Sequence, residues 1–441
     1  MKKYLIVLII ISWWNNSDAQ DKNDSESLSL EQVWNTVDVQ NKNLKLDDIQ
    51  RKQSDLDIEI AKDRRIPSLS VSGNYGLNTH MPIYSEGLFS APDFAPVSKY
   101  GYSFGYLFNL NLYNGGKDNR NIQIKKEESI RSQNEYDVQR NNIRYAVAVA
   151  YYDLYKFLQF QEFIESEITT EKKQLATIES LFKNGTVLKS DVLRINVKLS
   201  QLELTKSDID KKISIAKQRL NVFMGRHNEE PLSIPYKDAI DLNALTEDSD
   251  YMEYVNLALT KSPDFKITEN NINISLLNIK QVRSNILPKV SLYSSYNYTY
   301  PQTSFYPYSQ SLWGFGQTGL KVSLSLDQLY TNKHAVEKAR NTNDEQIQKM
   351  EIKKDALTVD IKEAFLQQQQ SFEGVETAEK NITQTSESVR IIRNSYLNQE
   401  SLLTDLLDAE NILLEAKFSL ISANINVILS HLRLLVKTGI I

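Results

Sequence analysis

The chain of 441 residues contains no cysteine, so no disulfide staples it and no thiol serves metal ligation, redox chemistry or lipid attachment. Its four histidines, His80, His227, His334 and His431, stand far apart in sequence. No metal-ligand spacing, glycine-rich phosphate loop or nucleophile elbow occurs. These absences argue against an enzyme and against a resident cofactor or metal. Past the N-terminus no run of about 18 apolar residues lacks a charge, so no spanning helix is expected and any membrane part must be made of strands. A basic excess is missing as well. The formal charge of −5 argues against a nucleic-acid partner on electrostatic grounds.

What is present begins with Lys2 and Lys3, an apolar stretch from Tyr4 to Trp14, and the small-residue site Ser17-Asp18-Ala19. That order reads as a secretory signal peptide over residues 1–19, its apolar run of about 11 residues being too short to anchor a span. Without Lys2, Lys3 and Asp18 the mature chain carries a net charge of −6, a mildly acidic surface.

Glycine (14) and proline (10) are sparse and uneven, and their placement outlines the architecture. From Lys117 to Asn184 there are 68 residues with neither, a helix on the order of 100 Å if continuous. Leu28 to Ile66 and Thr186 to Met224 give 39 such residues each, so two shorter helices laid end to end match the long one. After Gly185 the apolar residues Val192, Ile195, Leu199, Leu202, Ile209, Ile213, Ala216, Leu220 and Phe223 recur three and four apart, interrupted only by Lys206. That is a coiled-coil-like seam. Leu406, Ala409, Leu413, Ala416, Leu420, Ala423 and Val427 repeat it with smaller residues.

The chain is also a tandem repeat. Asp191 and Asp405, Gly225 and Gly439, Ala150 and Ala364, and Leu110 and Leu324 are each 214 residues apart, whereas Pro67 and Pro288, Ser54 and Ser275, and Tyr75 and Tyr296 are 221 apart. The first copy therefore carries the longer hairpin loop. Residues 20–225 form the first repeat (helix, β-hairpin 68–113, long helix, helix). Residues 226–250, with Pro231 and Pro235, form a linker, and residues 251–441 repeat the pattern around a hairpin at 289–327.

Within the hairpins the period changes to two. In "YGYSFGYLFNLNLYNGG", Tyr100, Tyr102, Phe104, Tyr106, Phe108, Leu110 and Leu112 alternate with Gly101, Ser103, Gly105, Leu107, Asn109 and Asn111. Ser68 to Asn78 and Lys289 to Tyr300 alternate likewise, and Gly314 to Leu326 slips phase between Phe315 and Leu320, the pattern of a bulge. Aromatic residues on one face and small polar ones on the other suit outer-membrane strands of about 9–11 residues. Four strands cannot close a barrel and an open edge in lipid is costly, so the chain must oligomerise. The residues alone leave a second reading open, a secreted coiled-coil scaffold or adhesin-like structural protein with a soluble sheet and no channel.

Two stretches, "LFKNGTVLKSDVLRIN" and "SYLNQESLLTDLLDAE", say nearly the same thing 214 residues apart. With "LYNGGK" and "RLNVFMG", and in this order and spacing, they make the chain resemble the TolC-like outer membrane efflux proteins (outer membrane factors). The resemblance implies a mainly α fold with a membrane β-barrel part. In it a long antiparallel coiled-coil-like helical barrel and four strands per subunit build a homotrimer with a 12-stranded barrel. It implies an outer-membrane channel-tunnel of a Gram-negative bacterium with its helices in the periplasm. Such a tunnel is the passive exit duct of a tripartite efflux or type I secretion system, served by a periplasmic adaptor (membrane fusion) protein and an inner-membrane pump or exporter. By the same resemblance Asp405 and Asp408 line acidic rings at the periplasmic gate, and Ser190, Asp191, Tyr396 and Ser401 stand at inter-tip contacts. Asn184, Gly185, Thr186, Asn398, Gln399 and Glu400 form the adaptor-docking tips. Ser401 stands where the family's latch has a basic residue, and Gln399 where the first tip has glycine.

Overall fold

The computed structural model of the protein describes residues 27–95, 97–236, 250–305 and 307–441. The expected signal peptide, and residues 237–249 of the expected linker, lie outside the described residues. In chain order the elements are α1 (Leu30–Gln40), α2 (Lys42–Asp63), β1 (Ser68–Leu77), β2 (Met81–Ile83), β3 (Asp93–Ala95), β4 (Tyr100–Tyr113), α3 (Lys117–Lys183) and α4 (Lys189–Phe223). Then come α5 (Tyr251–Lys261), α6 (Pro263–Arg283), a single 3-10 turn (Ser284–Ile286), β5 (Lys289–Tyr300), β6 (Trp313–Ser323), α7 (Gln328–Leu397) and α8 (Leu403–Thr438). Among the described residues two compact units emerge: residues 36–152 with 250–441, and residues 27–35 with 153–236.

The glycine- and proline-free run from Leu28 to Ile66 does not make one helix. Asn41 breaks it, its side-chain oxygen accepting from the N–H groups of Asn43 (2.9 Å) and Leu44 (3.2 Å) and so capping α2. A different device divides α5 from α6 at Ser262, whose side chain makes no cap: Pro263, which has no N–H to continue α5, opens the new helix. The loop between β1 and β4 is long because it holds a small hairpin, β2 pairing antiparallel with β3.

In the larger unit α7, 70 residues and roughly 105 Å at about 1.5 Å per residue, is the spine. Its first part packs on α6 and its second on α8, with α5 at the junction. There Tyr254, Val255 and Ala258 of α5, Phe265 of α6, Leu357, Ile361 and Ala364 of α7 and Leu434 of α8 form one core cluster. Buried polar pairs punctuate the helix seams. Ser275 donates to Asn343 (2.8 Å), Asn134 to Asn270 (2.9 Å), and Asn332 to the Val282 carbonyl (3.0 Å). A sliding helix would leave these groups unpaired at a cost of about 1–3 kcal/mol each, so they hold one register. α8 is long and apolar enough to cross a bilayer by length and hydropathy, contrary to expectation. It runs instead beside α7, joined to it by Ser430 with Ser371 (2.9 Å) and Lys437 with Asp360 (2.6 Å).

In the smaller unit the α4 seam is as expected, with Ile195, Leu202, Ile209, Ile213, Ala216 and Leu220 buried. Lys206, the interruption, reaches Glu165 of α3 at 3.1 Å.

The four long strands form one antiparallel sheet in the order β1-β4-β5-β6, so the central pair joins the two copies of the repeat. Tyr102 lies opposite Tyr300, Phe104 opposite Tyr298 and Tyr106 opposite Tyr296, and the first two pairs stack with centroids 5.0 and 4.9 Å apart. Leu69, Val71, Tyr75 and Leu77 of β1 extend this apolar face, which is exposed. The other face carries Ser70, Ser72, Asn74, Ser103, Gly105, Ser295 and Asn297. The expected bulge in β6 is absent. β5 and β6 pair without a break from Lys289–Ser323 to Thr299–Trp313, and the register shifts instead at Asn111/Tyr113 of β4. The phase slip is one of side-chain type. Trp313 and Phe315 stand on the polar face, while Gly314 and Gly316 sit on the apolar face under the rings of Tyr298 and Tyr296.

Gly439 ends α8 in a left-handed conformation (φ 79°), and a Cβ there would lie 2.8 Å from Pro263 Cδ and Ser262 Cα. Gly439→Ala should therefore cost roughly 1–3 kcal/mol, from strain and forced separation of α8 from α6. Thermal melting followed by circular dichroism checks it; an unchanged midpoint contradicts this packing.

Candidate functional site: the paired helix turns

Both repeated turns are built from helix-end chemistry. At the end of α3 the Gly185 N–H donates to the Phe182 carbonyl (2.9 Å) and the Thr186 N–H to the Leu181 carbonyl (2.9 Å). At the end of α7 the Gln399 N–H donates to the Tyr396 carbonyl (3.0 Å) and the Glu400 N–H to the Ser395 carbonyl (2.8 Å). Each is a Schellman motif, which needs a residue at positive φ just past the helix. Gly185 supplies it at 74°; Gln399 supplies it at 64° despite its Cβ. A glutamine there carries strain of about 1–2 kcal/mol. The second turn therefore keeps the geometry of the first without its glycine, and the missing glycine does not make it a different kind of turn.

The next helix starts in the same way in both copies. Asp191 accepts from the Leu188 N–H at 3.2 Å, and Asp405 from the Leu402 N–H at 3.2 Å. A carboxylate at the third helical position reaching back to the cap also places negative charge at the positive end of the helix dipole. The repeated aspartate is thus required by the turn itself, a role that its spacing from the preceding leucine could have disclosed.

The remaining candidate residues divide by copy. At the second turn Asn398 caps α7, and Ser401 donates to the Ile392 carbonyl at 3.3 Å. Tyr396 is half-buried, and Asn398, Gln399 and Glu400 are exposed. Asp405 and Asp408 are both exposed, one helical turn apart, while Leu403, Leu406, Leu407 and Ala409 beside them are buried. Asp405 spends one oxygen on its cap; Asp408 makes no hydrogen bond or ion pair among the described residues. At the first turn Asn184, Gly185, Thr186 and Ser190 are exposed and Asp191 is half-buried. Sequence reasoning missed the ion pair behind the second turn. Arg393 of α7 meets Glu410 of α8 at 2.8 Å, and Glu410 is only 5 % exposed. The pair locks the two arms of the hairpin together, and its 17-residue separation offers no signal in sequence.

Helix pairs closed by such turns, joined to a four-stranded antiparallel sheet with one apolar exposed face, define the fold class of outer-membrane channel proteins. The family described as outer membrane efflux protein matches the chain twice, at residues 35–226 and 254–439, and the protein belongs to that family. The family consists of efflux channels of the outer membrane, not enzymes. Among solved structures, the outer-membrane channel OprN is 16 % identical (TM-score 0.74, covering 93 % of this chain and 89 % of that one). The outer membrane protein VceC of Vibrio cholerae is also 16 % identical (TM-score 0.73, 93 % and 96 %). The Campylobacter jejuni CmeC outer membrane channel is 13 % identical (TM-score 0.72, 99 % and 94 %). At these identities they share the fold. No curated protein matches the chain in sequence.

Two substitutions test the turn. Gln399→Gly should raise stability by up to about 1 kcal/mol by relieving the positive φ. Asp405→Ala should lower it by about 1 kcal/mol through loss of the cap. Paired denaturation curves measure both, and equal effects of the two would refute the assigned roles.

Proposed function

We propose that the protein is the outer-membrane exit duct of a tripartite efflux or type I secretion system. It acts as a homotrimer with its sheets in the outer membrane and its helices in the periplasm. The observation that carries this reading is the four-stranded sheet with an exposed apolar face and no strand on the outer side of β1 or β6 among the described residues. Unpaired edge groups in lipid cost several kcal/mol each, and three copies joined β6 to β1 give twelve strands with no edge. The helices support the same association. Leu46, Ile49, Leu56 and Ile60 of α2 are exposed at heptad spacing, as are Ile352, Val359 and Leu366 of α7. Stripes of this kind are seams for neighbouring helices.

In this reading the turns face the periplasm, where an adaptor docks on Asn184, Gly185, Thr186, Asn398, Gln399 and Glu400 and an inner-membrane pump supplies the cargo. Asp405 and Asp408 contribute three carboxylates each to rings at the gate. Ser190, Asp191, Tyr396 and Ser401 contact the neighbouring tips. Because Ser401 is uncharged and Arg393 is committed to Glu410, closure relies on hydrogen bonds and on Leu402, which is exposed, rather than on a charged latch at Ser401. The exposed aromatic face of the sheet weighs against the soluble scaffold reading, since water would gain nothing from it.

Leu56 and Val359 are 61 % and 65 % exposed, so Leu56→Glu with Val359→Glu should leave the subunit folded and abolish the trimer. Light scattering in detergent reads this, and a trimer of normal stability would place the stripes elsewhere. Asp405→Asn with Asp408→Asn keeps a capping oxygen while removing six charges per trimer. It should lower cation selectivity and block by multivalent cations in planar bilayers, and unchanged selectivity would return both residues to a solvated helix face. A protein recovered wholly in the soluble fraction, without conductance, would sink the duct.

A further inference from the structure

The four-stranded sheet contains two charged side chains, Lys289 in β5 and Lys321 in β6, and no carboxylate. Both lie at the helix-proximal end of the sheet. Lys321 pairs with Ser291, two residues from Lys289 on the same strand, so the two ammonium groups are diagonal neighbours on one face. That face is the polar one, shared with Ser291 and Ser295, whereas Val290 and Leu292 point the other way. Two further cations extend the group, Lys117 lying within electrostatic reach of both Lys289 and Arg120. Lys117, at the start of α3, donates to Asn285 Oδ1 at 2.5 Å, and Arg120 donates to the Gly115 carbonyl. Among the described residues none of the four forms an ion pair. Asp327, a nearby acid in sequence, accepts instead from Gln328 at 3.1 Å. Burial, then Lys289 and Arg120, hold the Lys117 ammonium below the usual lysine pKa, so the positive charges here act on one another rather than on carboxylates.

Like charges on one face of a sheet destabilise it unless a counter-charge arrives. A lipid headgroup would have to reach them from the apolar face, which the side-chain alternation forbids. We propose that Lys289 and Lys321, backed by Lys117 and Arg120, form a cationic collar at the inner end of the barrel lumen that binds multivalent oxyanions in transit. The proposal rests on the trimeric duct, in which the polar face lines the lumen. Six strand lysines per trimer then ring a wall otherwise made of serine, threonine, asparagine, glutamine, glycine and aromatic residues with one leucine, Leu107. Charge rings of this kind set the selectivity of a pore, and a low-charge wall screens them little. The barrel would therefore prefer anions, in contrast to the acidic rings proposed at the helix turns.

Planar-bilayer recordings of the full-length trimer with inorganic tripolyphosphate added to the extracellular side test this. The wild type should show tripolyphosphate block that weakens as salt rises. Lys289→Gln with Lys321→Gln should raise the blocking concentration at least about tenfold and shift permeability toward cations. Heat-modified gel mobility confirms that the variant is folded; if it is not, Lys321→Gln alone should give a smaller shift of the same sign. A conducting wild type that tripolyphosphate does not block, or a folded variant blocked as before, overturns the collar while leaving the duct intact. A wild type without conductance removes the duct itself.

Discussion

Unsatisfied backbone hydrogen bonds at the edges of one small sheet govern this protein. Four strands with an aromatic outer face cannot remain exposed, and in lipid the free N–H and C=O groups of β1 and β6 have no solvent to turn to. In the proposed trimer, symmetric closure answers that constraint and also covers the apolar stripes of α2 and α7, which are exposed among the described residues. The tandem repeat serves the same end. Each copy supplies one hairpin and one long helix, and β4 on β5 fuses the copies before any neighbour is needed.

The helix turns show a second economy. Their shared sequence looks like a functional motif, yet most of it is spent on ending one helix and starting the next. The Schellman bonds and the aspartate cap consume the residues that the two copies have in common. The copies do not share Asp408, exposed and without an ion pair among the described residues, nor the Arg393–Glu410 lock behind it, and the proposed gate rests on Asp408 for that reason. Asp405 belongs to both accounts, one oxygen on the backbone and its charge on the surface. Removing its charge and removing its cap are therefore different experiments.

Much of the fold was legible because its signals are periodic. The 3-4 spacing of α4 named its buried face, the alternation of β4 named both faces of the sheet, and the 214-residue offset paired Gly225 with Gly439, both at positive φ. Failures came where a single side chain overrides a pattern. Asn41 splits a helix that lacks glycine and proline, Gln399 adopts a glycine's conformation, and Phe315 imitates a bulge by standing on the polar face. Long-range polar pairs such as Ser275 with Asn343 left no trace in sequence, because nothing local marks which asparagine will be buried.

By itself, then, the sequence disclosed most of the long elements, the internal offset and the two faces of the sheet, since each follows from local periodicity read along the chain, and the family came from the resemblance of four ordered stretches. Tertiary structure alone decided the strand order and register, the lock between Arg393 and Glu410, and the gathering of Lys117, Arg120, Lys289 and Lys321 at one end of the sheet. Those depend on contacts between residues up to about two hundred positions apart, and only packing, which must pair buried polar groups far apart in sequence, selects among the alternatives.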